Sequence, residues 1–66
     1  ALTGTTFNAW LLAERLAYVQ RLLEQSTHSI ERIAELAGFG SPTTLRHHFR
    51  RAFGIAPGAW RRNFTS

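Results

Sequence analysis

The segment Gly-Phe-Gly-Ser-Pro at positions 38–42 limits the possible folds of this chain more than any other stretch. Gly38 is suited to end a helix, because the left-handed backbone common at a helix C-terminus is strained in residues that carry a Cβ. Ser41 is a favoured N-cap, and Pro42 suits the first helical position, where the N–H that proline lacks has no partner within the helix. The pattern predicts two helices joined by a turn of about four residues, which is the helix-turn-helix arrangement.

Apolar residues on both sides of this turn recur at helical spacing. A helix capped by Ser29 carries Ile30, Ile33, Ala34 and Ala37, and a second helix runs over 42–53 until Gly54 stops it. The helix-turn-helix is therefore predicted over 29–53.

Two further helices are predicted outside this unit. Leucines and valine at 12, 16, 19 and 23 mark a long first helix over 6–25, with Thr6 as its N-cap. Pro57 marks the start of a short fourth helix over 57–63. No segment alternates with period two, so the chain is predicted to be all-α, a single domain fragment over 1–66 with a homeodomain-like arrangement of three to four helices.

Composition excludes several other classes of protein. A chain of 66 residues has room for one small core, and without cysteine it has neither disulfides nor thiolate metal ligands. No apolar run approaches the roughly 20 residues that cross a bilayer. We expect a cytoplasmic protein with no membrane partner.

Charge is distributed unequally between the two halves. Residues 1–35 carry three arginines and four glutamates, whereas residues 36–66 carry five arginines and no acid. Such asymmetry favours a polyanionic partner for the C-terminal half, the alternative being a basic surface that only aids solubility.

The third helix suggests what that partner is. On a helical wheel of about 100° per residue, Leu45, Phe49 and Ala52 share one side. The opposite side and its flanks carry Thr43, Thr44, Arg46, His47, Arg50 and Arg51. In a major groove, arginine can fork onto guanine and threonine can place its methyl group on thymine. The alternative is a solvated polar face of the kind that most surface helices have.

Catalytic, metal and cofactor sites are not predicted. His47 and His48 are adjacent, so on a helix they point about 100° apart and cannot chelate one ion together. No nucleophile-elbow or phosphate-loop spacing is present. We therefore expect no enzyme activity.

A protein-interaction module is the competing interpretation. The first helix is apolar over a broader arc than one small neighbouring unit can cover. Phe7, Trp10 and Leu11 are the predicted interaction face, and self-association of the chain through them is a possible outcome.

Motifs spread along the chain resemble the DNA-binding region of AraC/XylS-type bacterial transcription regulators. They are Arg15-Leu16, Leu22-Leu23, the run Ser-Ile-Glu-Arg-Ile-Ala at 29–34, Gly-Phe-Gly-Ser at 38–41, Phe49, Gly54, Pro57 and Arg61. Domains of that family carry two helix-turn-helix units joined by a linker helix. The resemblance implies that this chain supplies the linker helix and the second unit. The first unit and an N-terminal sensor domain would belong to the parent protein.

The resemblance also implies DNA contacts on the third helix. Its base-reading positions fall on Pro42, Thr43, Arg46 and His47, three of which the helical wheel also places on the polar side. Contacts to the DNA backbone are expected from Ser41, Thr44, Arg50, Arg51, Arg61 and Arg62. Pro42 departs from the family pattern, because it has no hydrogen-bonding side chain to offer a base.

Overall fold

The computed structural model describes residues 4–65, with side chains described over 7–63. These residues form four helices and no strand: α1 Gly4–Gln25, α2 Ile30–Ala37, α3 Pro42–Phe53 and α4 Pro57–Thr65. The all-α prediction with its helix-turn-helix is confirmed.

Two helices are longer than the sequence predicts. α1 begins at Gly4, so Thr6 is a helical residue and the prediction that it is the N-cap is wrong. Nothing in the first residues of α1 blocks a helix as proline would, and each added residue of an existing helix gains a hydrogen bond. α4 likewise continues to Thr65, two residues beyond its predicted end.

The end of α2 is closed by a pair of backbone hydrogen bonds. Gly38 has a φ of 84°, and its N–H donates to the Glu35 carbonyl at 3.2 Å. The N–H of Phe39 donates to the Ala34 carbonyl at 2.9 Å. These two bonds define a Schellman motif, which satisfies carbonyls that the helix end would otherwise leave unpaired.

Serine caps begin both helices of the unit. The Ser29 side chain accepts from the Arg32 N–H at 3.1 Å, and the Ser41 side chain accepts from the Thr44 N–H at 3.2 Å. Pro42 occupies the first turn of α3 as predicted. Caps of this kind stabilise a helix by about 1 kcal/mol each, so the local sequence fixes where α2 and α3 begin.

The core is formed where α1, α2 and α3 meet. Its buried apolar side chains are Leu16, Val19, Leu23, Ile33, Ala34, Ala37, Leu45 and Phe49. These side chains hold α3 against the other helices through one side only, which leaves the opposite side of α3 open.

Ala52 is exposed, although the helical wheel places it on the apolar side of α3. The buried side is rotated towards Phe53 because Trp60 of α4 packs there. The Trp60 ring centroid lies 5.7 Å from that of Phe49 and 5.4 Å from that of Phe53.

α4 also closes the C-terminal end of α1. The Arg61 guanidinium donates to the carbonyls of Leu23 at 3.4 Å and Ser26 at 3.3 Å. A cation at a helix C-terminus is favourable because the helix dipole is negative there. None of the described helices, α1 included, is long and apolar enough to cross a membrane.

Candidate nucleic-acid interface

The open side of α3 forms one wall of a shallow groove with a volume of about 590 Å³. The groove is lined by Thr43, Arg46, His47, Arg50, Arg51 and Ala56. Leu45 and Phe49 on the buried side are fully inaccessible and fix how α3 is rotated about its axis. The structure therefore brings five residues of the predicted DNA face together.

Among the described residues, the three arginines of the groove have no acidic partner. Arg46, Arg50 and Arg51 are exposed, and α3 and α4 contain no acidic residue. A salt bridge of 3.1 Å joins Arg32 to Glu35 on α2, but no ion pair within the described residues uses the arginines of α3. Their charge is thus available to an external anion, and unneutralised arginine is well suited to bind phosphate or guanine.

The first turn of α3 lies beside the groove. Pro42 and Ser41 are half-buried, while Thr44 is exposed. The Ser41 hydroxyl donates to Thr44 Oγ1 at 3.0 Å. These two predicted backbone contacts are therefore linked to each other, at the helix end where the dipole attracts anions.

The two adjacent histidines face different surroundings. His47 is exposed and lines the groove. His48 is half-buried, and its ring centroid lies 5.9 Å from that of Phe39 in the turn. His48 thus packs against the helix-turn-helix turn while His47 is available to a ligand. Among the described residues, no three histidine or acidic side chains are grouped closely enough to hold a metal ion.

The structure does not bring Arg61 into the groove. Its guanidinium is hydrogen-bonded to the end of α1, and the side chain is half-buried. Arg62 is exposed, so it differs from its neighbour in having its side chain on the surface.

Two residues of this region were not predicted from the sequence. Ala56 lines the groove because Gly54, with a φ of 83°, reverses the chain after α3. The spacing of Gly54 and Pro57 is the signal that could have identified this short loop as part of the groove.

The Arg15 Nε lies 3.6 Å from the place where a Cβ on Gly38 would be, so α1 also covers the turn. No local sequence pattern reveals that contact.

The predicted interaction face lies on the N-terminal part of α1. Phe7 is 62% exposed and Trp10 is 57% exposed, with their ring centroids 6.1 Å apart. Leu11 is half-buried. Large apolar side chains this exposed form a small apolar patch outside the core.

Comparison with known proteins places this geometry in a family. A family model described as a helix-turn-helix domain matches residues 1–63. The transcriptional regulator GlxA of Rhizobium meliloti (strain 1021) is 42% identical over 63 residues, which cover 96% of this chain and 19% of GlxA. The transcriptional activator NphR of a Rhodococcus species is 37% identical over 59 residues, covering 89% of this chain and 18% of NphR.

A solved structure is similar over most of the chain. It is the crystal structure of the DNA-binding domain of AdpA, a global transcriptional factor, in complex with a target DNA. The TM-score is 0.83 at 44% identity, and the match covers 86% of this chain and 51% of the AdpA chain.

These findings identify the chain as a helix-turn-helix DNA-binding unit. It belongs to the family of AraC-type transcription regulators. It spans about a fifth of the length of the curated relatives that it matches.

Proposed function

We propose that α3 enters the major groove of double-stranded DNA and reads base edges there. The observation that carries this proposal is the groove itself. It combines exposed arginines that have no acidic partner with threonine and histidine on the one side of α3 that the core leaves open. A helix with an apolar back and such a front is the usual element of major-groove recognition.

Base contacts are assigned to Thr43, Arg46 and His47, with Pro42 offering only an apolar contact. Contacts to the DNA backbone are assigned to Ser41, Thr44, Arg50, Arg51 and Arg62. Arg61 is left out of the second group because its guanidinium is bonded to the end of α1. Thr43, Arg46 and His47 are assigned to bases because they line the groove and also lie in the N-terminal half of α3, which contacts base edges in helix-turn-helix proteins. Thr44 lies in the same half but does not line the groove.

The parent protein supplies the rest of a bipartite DNA reader. The match covers about half of the AdpA DNA-binding domain, which leaves room for a second helix-turn-helix beside this one. We assign that first unit, and an N-terminal sensor domain, to the remainder of the parent polypeptide. In this proposal the protein is a non-enzymatic regulator that acts on DNA in the bacterial cytoplasm.

The protein-interaction module expected as the alternative function is not favoured by the comparisons. We propose only that the exposed Phe7 and Trp10 allow the chain to self-associate. Such association is compatible with DNA binding, because the apolar patch on α1 and the basic groove on α3 are formed by different helices. In the parent protein the patch would pack against the first helix-turn-helix.

The DNA proposal is tested by fluorescence anisotropy with labelled duplex DNA over a series of salt concentrations. Neutralising three phosphates with Arg50, Arg51 and Arg62 predicts a slope of log K against log salt of about −2.7, at about −0.9 for each phosphate contact. A chain that shows no salt-dependent binding to any duplex would contradict the proposal, and attention would move to the patch on α1.

A further inference from the structure

The groove on α3 lacks two kinds of hydrogen-bonding side chain. α3 has the sequence PTTLRHHFRRAF, with no asparagine, glutamine, aspartate or glutamate, and the loop beyond it contributes only Ala56 to the groove. The surface therefore presents guanidinium donors, an imidazole, hydroxyl groups and methyl groups. It has no side-chain amide and no carboxylate.

The chemical groups that line the groove match some base edges better than others. Guanine presents two acceptors, N7 and O6, in the major groove, and arginine donates to both at once. Adenine pairs an acceptor with a donor and is read in the same bidentate way by asparagine or glutamine, whereas the cytosine amino group requires an acceptor such as glutamate or aspartate. Thymine offers a methyl group that threonine can contact. Guanine is therefore the one base for which α3 offers a bidentate partner, and thymine is the one whose methyl group it can contact. Adenine and cytosine can make only single hydrogen bonds, with the hydroxyl of Thr43 or the imidazole of His47.

We propose that the DNA strand read by α3 carries guanine and thymine at the contacted positions. Arg46 contacts the guanine and the Thr43 methyl group contacts the thymine. The proposal rests on the function proposed above and specifies its ligand. Residues 43 and 46 are separated by about 4.5 Å along a helix axis, and bases on one strand repeat every roughly 3.4 Å. The two bases should therefore lie within two positions of each other.

The first test is selection of binding sites from a pool of random duplexes by the 66-residue chain at low salt. The expected result is an enriched sequence in which a guanine lies within two positions of a thymine on the same strand. An enriched sequence without that pair would overturn the inference. Salt-dependent binding with no enriched sequence would also overturn it while leaving DNA binding intact.

The second test replaces single atoms of the selected site. Exchanging the guanine for 7-deazaguanine removes N7 and keeps Watson–Crick pairing, and should weaken binding roughly tenfold to a hundredfold. Arg46→Ala should bind both duplexes equally. Exchanging thymine for uracil should weaken binding severalfold, and Thr43→Ser, which removes only the methyl group, should lose that difference. Equal binding of natural and substituted duplexes by the unaltered chain would contradict the assignment.

The most specific test is a substitution that changes which base the chain prefers. Arg46→Gln should prefer adenine over guanine at the contacted position, because a side-chain amide matches the adenine edge. Arg21→Ala is the matched control, since Arg21 is exposed on α1 and lies 5.7 Å from the Tyr18 ring, outside the groove. The control should keep the guanine preference. If the unaltered chain shows no salt-dependent binding to any duplex, the proposed function itself is refuted.

Discussion

The indole Nε1 of Trp60 donates a hydrogen bond to Oε2 of Glu24 at 3.1 Å, which joins α4 to the last turn of α1. The same indole ring packs against Phe49 and Phe53 of α3. Trp60 thus contacts both the helix that supports the fold and the helix that forms the groove. Its position explains why α4, although short, belongs to the DNA-binding unit.

Substituting Trp60 and Glu24 in turn should separate the contribution of the ring packing to stability from that of the hydrogen bond. Trp60→Ala should lower the free energy of unfolding by about 2–3 kcal/mol, somewhat less than a fully buried aromatic ring would, because Trp60 is half-buried. Glu24→Ala removes only the acceptor at an exposed site and should cost about 1 kcal/mol or less. Urea denaturation monitored by circular dichroism measures both. Equal losses in the two variants would show that the hydrogen bond, and not the ring packing, is the main contribution.

Alanine should have opposite effects at two glycines. Gly38→Ala should destabilise the chain by about 1–2 kcal/mol, because its φ of 84° is strained for a residue with a Cβ. The new Cβ would be in ordinary contact with Arg15 at 3.6 Å, so the loss comes from the backbone and not from a clash. Gly58→Ala lies in the first turn of α4, where no atom beyond the adjacent residues and the helix's own backbone is within 4 Å of the added Cβ, and it should stabilise the chain by about 0.5 kcal/mol. Thermal unfolding of both variants measures these two effects on stability. Destabilisation by Gly58→Ala would contradict the prediction of opposite effects.

Arg46 and Arg51 should differ in the kind of binding that they support. Arg46→Ala should lower affinity for the preferred site by about 1–3 kcal/mol and relax the preference at one base position. Arg51→Ala should weaken binding to all duplexes similarly and reduce the salt slope by about 0.9. Anisotropy titrations with preferred and scrambled duplexes separate the two patterns, with Arg21→Ala as the control. If both variants lose affinity equally for both duplexes, the division between base and backbone contacts is wrong.

Polar substitutions on α1 should change association without changing the fold. Phe7→Ser combined with Trp10→Ser removes exposed apolar surface, so the free energy of unfolding should change by less than about 0.5 kcal/mol for each site. Sedimentation velocity should show any dimers of the unaltered chain lost in the double variant, with DNA affinity retained. A dimer that persists in the double variant would place the contact elsewhere.

Most of the fold could be predicted because its signals are local. The caps at Ser29 and Ser41, the stop at Gly38 and Pro57 at the start of α4 each act through their own backbone or near neighbours. The start of α1 could not be predicted in the same way. Thr6 is a good N-cap in isolation, but only proline strongly prevents a helix from extending upstream past such a residue.

The part of the candidate site on α3 could be predicted from the sequence, because helical periodicity alone decides which side of the helix a residue faces. Thr43, Arg46, His47 and Arg50 line the groove because Leu45 and Phe49 are buried on the other side of α3. Contacts between distant segments carry no such signal. The position of Arg61 at the end of α1, and the exposure of Ala52 that follows from the packing of Trp60, depend on how α4 folds back.

Nuclear magnetic resonance can determine whether α3 is the surface that contacts DNA. A ¹⁵N-labelled sample of the chain would be titrated with a short duplex, and the chemical shifts of the backbone and arginine side chains would be followed. We predict the largest changes in α3, together with Arg46 Nε, and little change at Phe7, Trp10 and Leu11. Changes confined to those three residues of α1, with α3 unaffected, would contradict the claim and favour a protein-interaction module.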